Sequence, residues 1–252
     1  MAVIPLWLPL LVASPFIGSF LGTLIQRLPE RRPVLLGRSQ CDRCHATLTA
    51  RDLVPLASFA VLRGRCRHCG ASIGWFAPVL ELAAMAVVLW AMTETAGTVL
   101  IASCVFGWLL LALAVTDWRV YLLPDPLTFT LALTGLIATG FIAPENMLDH
   151  VIAMLAGLAV FALIAFLYRR LRGREGLGFG DAKLLGALGA WVSWQGLPSV
   201  VLCATVTGMV LVLVLSLSGR KLSATTRIPF GTFLALGGWI VWLYGPLNLP
   251  SP

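Results

Sequence analysis

From Leu184 to Gly219 the chain carries no charged side chain, and nothing else in the sequence restricts the fold so strongly. A run of that length is too long to be a core helix of a water-soluble domain and reads as membrane-spanning. The whole chain agrees. Of its residues 59% are hydrophobic and 12% charged, with a mean hydropathy of +0.91, against about 25% charged residues in soluble domains. The expected architecture is an all-α polytopic membrane protein of about eight transmembrane helices. These lie near residues 6–26, 76–93, 97–116, 127–143, 147–168, 183–195, 198–218 and 229–247. The sixth is short, and Gly196 and Pro198 separate it from the seventh by almost nothing, which predicts a tilted or partly re-entrant segment. No basic residue precedes the first span and no clear A-x-A-like site follows it. It is therefore expected to remain as a membrane helix rather than be cleaved as a signal peptide.

Charge then sets orientation. With the N-terminus outside, the inner loops are 27–75, 117–126, 169–183 and 219–228. They hold nine, one, five and three Lys or Arg, which accounts for all eighteen in the chain. The outer loops keep acids and neutral residues, among them Glu94, Glu145 and Asp149. This is the positive-inside pattern, and it explains the net charge of +7 without a nucleic-acid partner. The expected organisation is a first span at 1–26, a basic cytoplasmic loop domain at 27–75 and a seven-span membrane domain at 76–252. Internal repeats and low-complexity tracts are not evident.

The loop at 27–75 carries four of the six cysteines as two C-x-x-C knuckles, Cys41-Asp42-Arg43-Cys44 and Cys66-Arg67-His68-Cys69, separated by 21 residues. Two knuckles at about this spacing point to a tetrahedral zinc ion held by four thiolates. A 49-residue loop has little core of its own, so the metal would supply most of its fold. Disulfides do not suit a reducing cytoplasm. Cys41-x-x-Cys44-His45 also matches a c-type haem attachment pattern, but that chemistry belongs on the opposite membrane face and leaves the second knuckle unexplained. Arg63, Arg65 and Arg67 would suit a nucleic-acid ribbon, yet a membrane-tethered loop has anionic lipid as its nearer partner. His45 and His68 are treated as bystanders, and Cys104 and Cys203, inside apolar spans, as small core residues.

Acids inside a membrane protein are expensive, so their placement is informative. Asp181 follows Gly178-Phe179-Gly180 and opens the sixth span, with Lys183 two residues on. Asp117 ends the third span, and Asp125 follows between Pro124 and Pro126, which break the helix there. Both loops face the cytoplasm, so two separate spans present carboxylates at one depth. Two close carboxylates cannot both ionise cheaply; one proton is shared, and one acid acts as base on a water while the other polarises a carbonyl. The glycines before Asp181 would let backbone or an extended substrate approach closely. The alternative is structural: Asp181 caps its helix while Lys183 snorkels, and Asp117 pairs with Arg119 or Lys183 across the interface. The acids alone leave both readings standing. Glu81, five residues into the second span, is a further candidate acid or a snorkelling one.

These segments together resemble the type IV prepilin peptidases, the leader peptidases and N-methyltransferases of pilus and type II secretion systems. The resemblance covers nearly the whole chain. It is carried by GSFLGTLIQRLP at the end of the first span, by the paired knuckles with LRGRCRHCG, and by TDWRVYLLPDPLT and GFGDAKLLGALGAW. The last holds the G-x-G-D signature of intramembrane aspartyl proteases. The resemblance implies that Asp117 and Asp181 are the catalytic pair, with Asp125, Gly178, Gly180 and Lys183 supporting. It also implies structural zinc on Cys41, Cys44, Cys66 and Cys69. The substrates implied are prepilins or pseudopilins with a short basic leader and an apolar stem, cut on the cytoplasmic side of the bacterial inner membrane after a glycine. S-adenosylmethionine would then methylate the new N-terminus, though no soluble glycine-rich methyltransferase motif is present. Two departures bear on that second half: Gly22 stands where the family usually has Asn, and Trp75-Phe76 where it commonly has Arg-Tyr.

Two other classes compete. A proton-coupled transporter would spread its acids through membrane depth, whereas here they cluster at one face. An assembly protein whose zinc loop docks a secretion ATPase or another part of the pilus machinery leaves the G-x-G-D loop without a purpose. The topology is directly testable: single cysteines at positions 51 and 172, in place of Arg51 and Arg172, should resist a membrane-impermeant thiol reagent in intact cells and react after lysis. Labelling of either from outside would overturn the orientation.

Overall fold

The computed structural model describes residues 5–34, 39–173, 178–219 and 228–247. Most of the basic loop expected at 219–228, and residues 174–177 of the loop before Asp181, lie outside the described residues. Every named element is a helix: α1 (Trp7–Arg27), α2 (Ala57–Val61), α3 (Phe76–Glu94), α4 (Gly97–Val120), α5 (Asp125–Ile142), α6 (Met147–Arg172), α7 (Phe179–Leu217) and α8 (Phe230–Tyr244), with short 3-10 turns at Ala50–Leu53 and Pro144–Asn146. Two compact units divide the chain, Met1–Cys104 and Val105–Pro252, the division falling inside α4. By length and composition α1, α3, α4, α5, α6 and α7 can each cross a membrane, and α8 is a shorter apolar helix.

In the first unit α1 packs on α3. Its buried residues Ser14, Gly18, Leu21, Gly22 and Ile25 recur at helical spacing along one face, and α3 answers with Leu80, Glu81, Ala84, Val88 and Ala91. Small residues set the approach. A Cβ on Gly18 would lie 2.7 Å from the Glu81 Cα and from the Leu80 carbonyl oxygen.

The second unit is built around α7, which packs on α5, α6 and α8. Every residue from Leu184 to Trp191 is buried, so this stretch has no outward face. Its anchor is Trp191, stacked on Phe106 at 4.5 Å between ring centroids and edge-on to Trp242 at 5.2 Å, with its Nε1–H donating to the Leu131 carbonyl at 2.7 Å.

An unbroken helix of 39 residues would run about 58 Å, nearly twice the roughly 30 Å apolar thickness of a bilayer. The chain avoids this with a break at Ser193, whose φ of 60° and ψ of 177° are not helical. The eight expected spans therefore correspond in order to α1, α3, α4, α5, α6, the two parts of α7 and α8. The break lies upstream of Gly196 and Pro198, where the sequence placed it. A proline ring clashes with the carbonyl four residues before it, and for Pro198 that is Trp194, the first residue past the break. Breaking a helix strips carbonyls of their partners, which costs several kcal/mol each in an apolar medium. The Ala190 carbonyl is recaptured by His150 Nδ1 on α6 at 3.0 Å and by the Thr139 hydroxyl on α5 at 3.4 Å. At the other end of α6, Arg169, Arg170 and Arg172 occupy the last turn and Gly173, at φ 64°, closes the helix in the left-handed conformation.

Glycines carry the tight α6–α7 contact. A Cβ on Gly189 would sit 2.5 Å from the Ala153 carbonyl oxygen, a backbone atom, while one on Gly208 meets nothing nearer than the Phe233 ring at 3.5 Å. Alanine gains about 1 kcal/mol of helix propensity at either site, but overpacking costs about 1–3 kcal/mol. Gly189→Ala should therefore lower the unfolding temperature in detergent, and Gly208→Ala should leave it unchanged or raise it.

Candidate active site and metal centre

Asp117 lies in the last turn of α4 with 5% of its surface exposed. A carboxylate so placed needs donors, and α8 supplies them. The Thr232 N–H donates to Asp117 Oδ2 at 2.8 Å and its hydroxyl lies 3.3 Å from the same oxygen, while also reaching the Ala114 carbonyl at 2.9 Å. Gly231 has to be small: a Cβ there would lie 3.0 Å from Asp117 Oδ2 and 2.9 Å from Leu123 Cδ1.

Asp181 is half-buried at the third position of α7. Its N–H donates to the Gly178 carbonyl at 3.1 Å. This places the carboxylate in the first helical turn, where the helix dipole favours a negative charge. Asp181 and Asp117 are close enough to interact electrostatically. Two helices widely separated in sequence thus place their carboxylates within electrostatic range of each other.

The supporting residues fall beside them. Lys183 Nζ is 2.6 Å from Asp125 Oδ1, joining α7 to the start of α5, and lies 5.1 Å from the Phe179 ring centroid. Lys183 is thereby engaged with Asp125, and the Asp117 carboxylate is held by Thr232. Gly178 has an ordinary φ of −70°. Its purpose, and that of Gly180, is steric: added Cβ atoms would lie 3.3 Å from Asp181 Oδ2 and 3.3 Å from Leu123 Cβ. Sequence reasoning missed Thr232, Gly231 and Leu123. The available signal was a Gly-Thr pair opening the last span beside a basic inner loop.

The candidate metal centre is built from two similar knuckles. In each, the first cysteine N–H donates to a carbonyl five residues on (Cys41 to Ala46 at 3.0 Å, Cys66 to Ala71 at 2.8 Å), flanked by a bridge, Gln40 with Thr47 and Arg65 with Ser72. The residue after the second cysteine is left-handed in both, His45 at φ 55° and Gly70 at φ 68°. His45 occupies a conformation that glycine adopts freely, and neither it nor His68 joins the ligand cluster. The four Sγ atoms lie within 4.8 Å of one another, with Cys41 to Cys69 at 3.9 Å and Cys44 to Cys66 at 4.0 Å. Tetrahedral zinc at about 2.3 Å from each sulfur demands separations of about 3.8 Å, so the donor set fits. N–H groups of Cys44 and Arg43 aimed at the Cys41 sulfur lower its thiol to about 6.

Asp52 ties the loop together, accepting from the Thr49 hydroxyl at 2.7 Å and from Arg67 Nε at 2.7 Å. These bonds hold its carboxyl down at about 2. Because the folded value is depressed, the tie is fully present above its ordinary value of 3.8 and is lost as pH falls through about 2. Cys104 is buried and Cys203 half-buried, both within helices, and neither belongs to the cluster. Zinc analysis of the purified protein should give one ion per chain, and serine at Cys41 with Cys69 should lose it and lower the yield of folded protein. His45→Gly should keep both.

A family model described as the bacterial Peptidase A24 N-terminal domain matches residues 12–95, and one described as the type IV leader peptidase family matches residues 104–213. Among curated relatives, the prepilin leader peptidase/N-methyltransferase of Aeromonas salmonicida (strain A449) is 38% identical over 258 residues, covering 92% of this chain and 88% of that one. Its counterpart in Burkholderia pseudomallei (strain K96243) is 40% identical over 222 residues, covering 86% and 71%. That of Pseudomonas aeruginosa is 34% identical over 257 residues, covering 91% and 87%. No solved structure gives a significant match. With both halves matched in order, and with relatives at this identity aligned over most of their length, the chain belongs to the prepilin leader peptidase family.

Proposed function

We propose that this chain is an intramembrane aspartyl endopeptidase that removes the leader of type IV prepilins or type II secretion pseudopilins through Asp117 and Asp181, and then N-methylates the new N-terminus. The observation that carries the peptidase half is the meeting of these two carboxylates from α4 and α7, one of them 5% exposed and gripped by Thr232. A single water between them is deprotonated by one carboxylate and attacks the scissile carbonyl, which the proton on the other polarises; that proton then serves the leaving amine. Thr232 orients the Asp117 oxygen to which it donates, leaving the other toward the reacting water. The Lys183–Asp125 pair fixes the loop after α4 against the start of α7. Exposed ion pairs contribute little stability, so its role is positional.

In this reading residues 27–75 form the cytoplasmic zinc-binding domain, and the active site faces the cytoplasm from the bacterial inner membrane, in contact with anionic lipid and with the secretion or pilus assembly machinery. Cys41, Cys44, Cys66 and Cys69 would hold a structural zinc, since four thiolates leave no open coordination position. S-adenosylmethionine supplies the methyl group for the second activity. A transporter reading draws no support from the site, whose acids meet at one end of α7.

Asp117→Asn and Asp181→Asn should each abolish cleavage of a prepilin substrate by membranes while zinc content and folding persist, because a shared-proton dyad needs both members. Asp125→Asn should reduce turnover only mildly. Retained cleavage in both of the first two variants would end the aspartyl mechanism. Mass spectrometry of the processed product with the methyl donor in excess tests the second activity.

A further inference from the structure

The first unit contains a cavity of about 460 Å³ between the zinc loop and the inner ends of α1 and α3. That volume falls within the range that small-molecule sites occupy. Its lining joins two kinds of surface. Phe59, Leu53 and Leu62 form an apolar wall, with Phe59 backed by the Trp75 ring at 5.0 Å. Opposite in character is Glu81, an acid with 5% of its surface exposed.

Glu81 is held by a backbone donor. It accepts from the Leu56 N–H at 2.7 Å, and Ser19 of α1 lines the same cavity. A carboxylate offers about four acceptor positions, so most remain. Among the described residues no lysine or arginine forms an ion pair with it, whereas Asp52, on the same cavity, is matched by Arg67. The Leu56 end of this contact is strained. With φ 57°, ψ −46° and an Ala57 N–H to Pro55 carbonyl bond, Leu56 is the centre of a classic γ-turn, a rare conformation for a side-chain-bearing residue. Strain of this kind persists where surroundings over-determine it, typically at ligand sites. A buried acid without a matching cation, facing a roomy cavity, is suited to a cationic ligand.

Resting on the methyl-transfer reading above, we propose that this cavity binds S-adenosylmethionine, with Glu81 as the counter-charge for its sulfonium and the wall at Phe59 taking its adenine. The donor's chemistry matches both surfaces: a flat aromatic base at one end and a fixed positive charge near the other. The Trp75 departure from the family pattern keeps this wall aromatic, through its ring contact with Phe59.

The test is equilibrium binding of labelled S-adenosylmethionine to the full chain in nanodiscs. Sinefungin, which keeps a cation at the sulfonium position, and S-adenosylhomocysteine, whose sulfur is neutral, serve as competitors. Glu81→Gln retains an acceptor for Leu56 and should weaken S-adenosylmethionine and sinefungin by about tenfold or more, while changing S-adenosylhomocysteine by less than about threefold. Ser58→Phe, which fills the cavity, should weaken all three; it decides the matter if Glu81→Gln loses its zinc or unfolds. Equal loss of all three ligands in a folded Glu81→Gln protein overturns the counter-charge role. Unchanged binding in both variants overturns the placement of the site. Wild-type protein that binds none of the three removes the methyl-transfer reading itself, and this inference with it.

Discussion

A carboxylate persists inside an apolar bundle only if polar groups are aimed at it, and Asp117 takes its partner from Thr232, 115 positions further along the chain. Much of the second unit follows from that bond. It fixes the start of α8 against the end of α4, which is possible only because Gly231 leaves room beside the carboxylate. Leu123 fills the remaining space between Gly231 and Gly180, and so couples the position of one acid to the helix that carries the other. The glycines of this site are gaps cut to the shape of their neighbours rather than hinges.

A second constraint runs along α7. The first half of this helix, buried on every side from Leu184 to Trp191, is too short to cross a bilayer, and it ends at Ser193 in a conformation that leaves carbonyls without helical partners. His150 and Thr139 bring α6 and α5 to the same Ala190 oxygen. One atom therefore joins three helices at the end of the segment that begins with Asp181. The acid sits at the origin of a stiff, fully enclosed rod whose far end is pinned.

The sequence made the membrane class, the four-cysteine cluster and the two acidic motifs legible because each is written in local pattern: apolar length, C-x-x-C spacing, and acids beside glycine or proline. What it hid was relational. Thr232 looks like any threonine in an apolar helix until α8 is laid against α4. Trp191 reads as one more large apolar residue until its indole N–H finds the Leu131 carbonyl. The break in α7 was expected near Pro198 because proline is the visible punctuator, yet its clash acts four residues upstream. Glu81 was noticed as an acid, but its surroundings were not readable, since Leu56 reaches it from 25 positions away and the cavity it lines is closed by the loop between α1 and α3.

The two knuckles have a consequence for how this protein is assembled during synthesis. Each is a chain-local hairpin closed within five residues, and contacts that short form quickly at small entropic cost. The expensive step is joining one knuckle to the other across the 21 residues between Cys44 and Cys66, where the Arg67–Asp52 pair ties the second knuckle back to that segment. Zinc captured by the first knuckle as it leaves the ribosome would wait, half-coordinated, for the second. In the proposed zinc-bound form, completion of its tetrahedron would then mark the moment at which the loop is finished and α3 is about to emerge, so that metal supply would pace the folding of the chain.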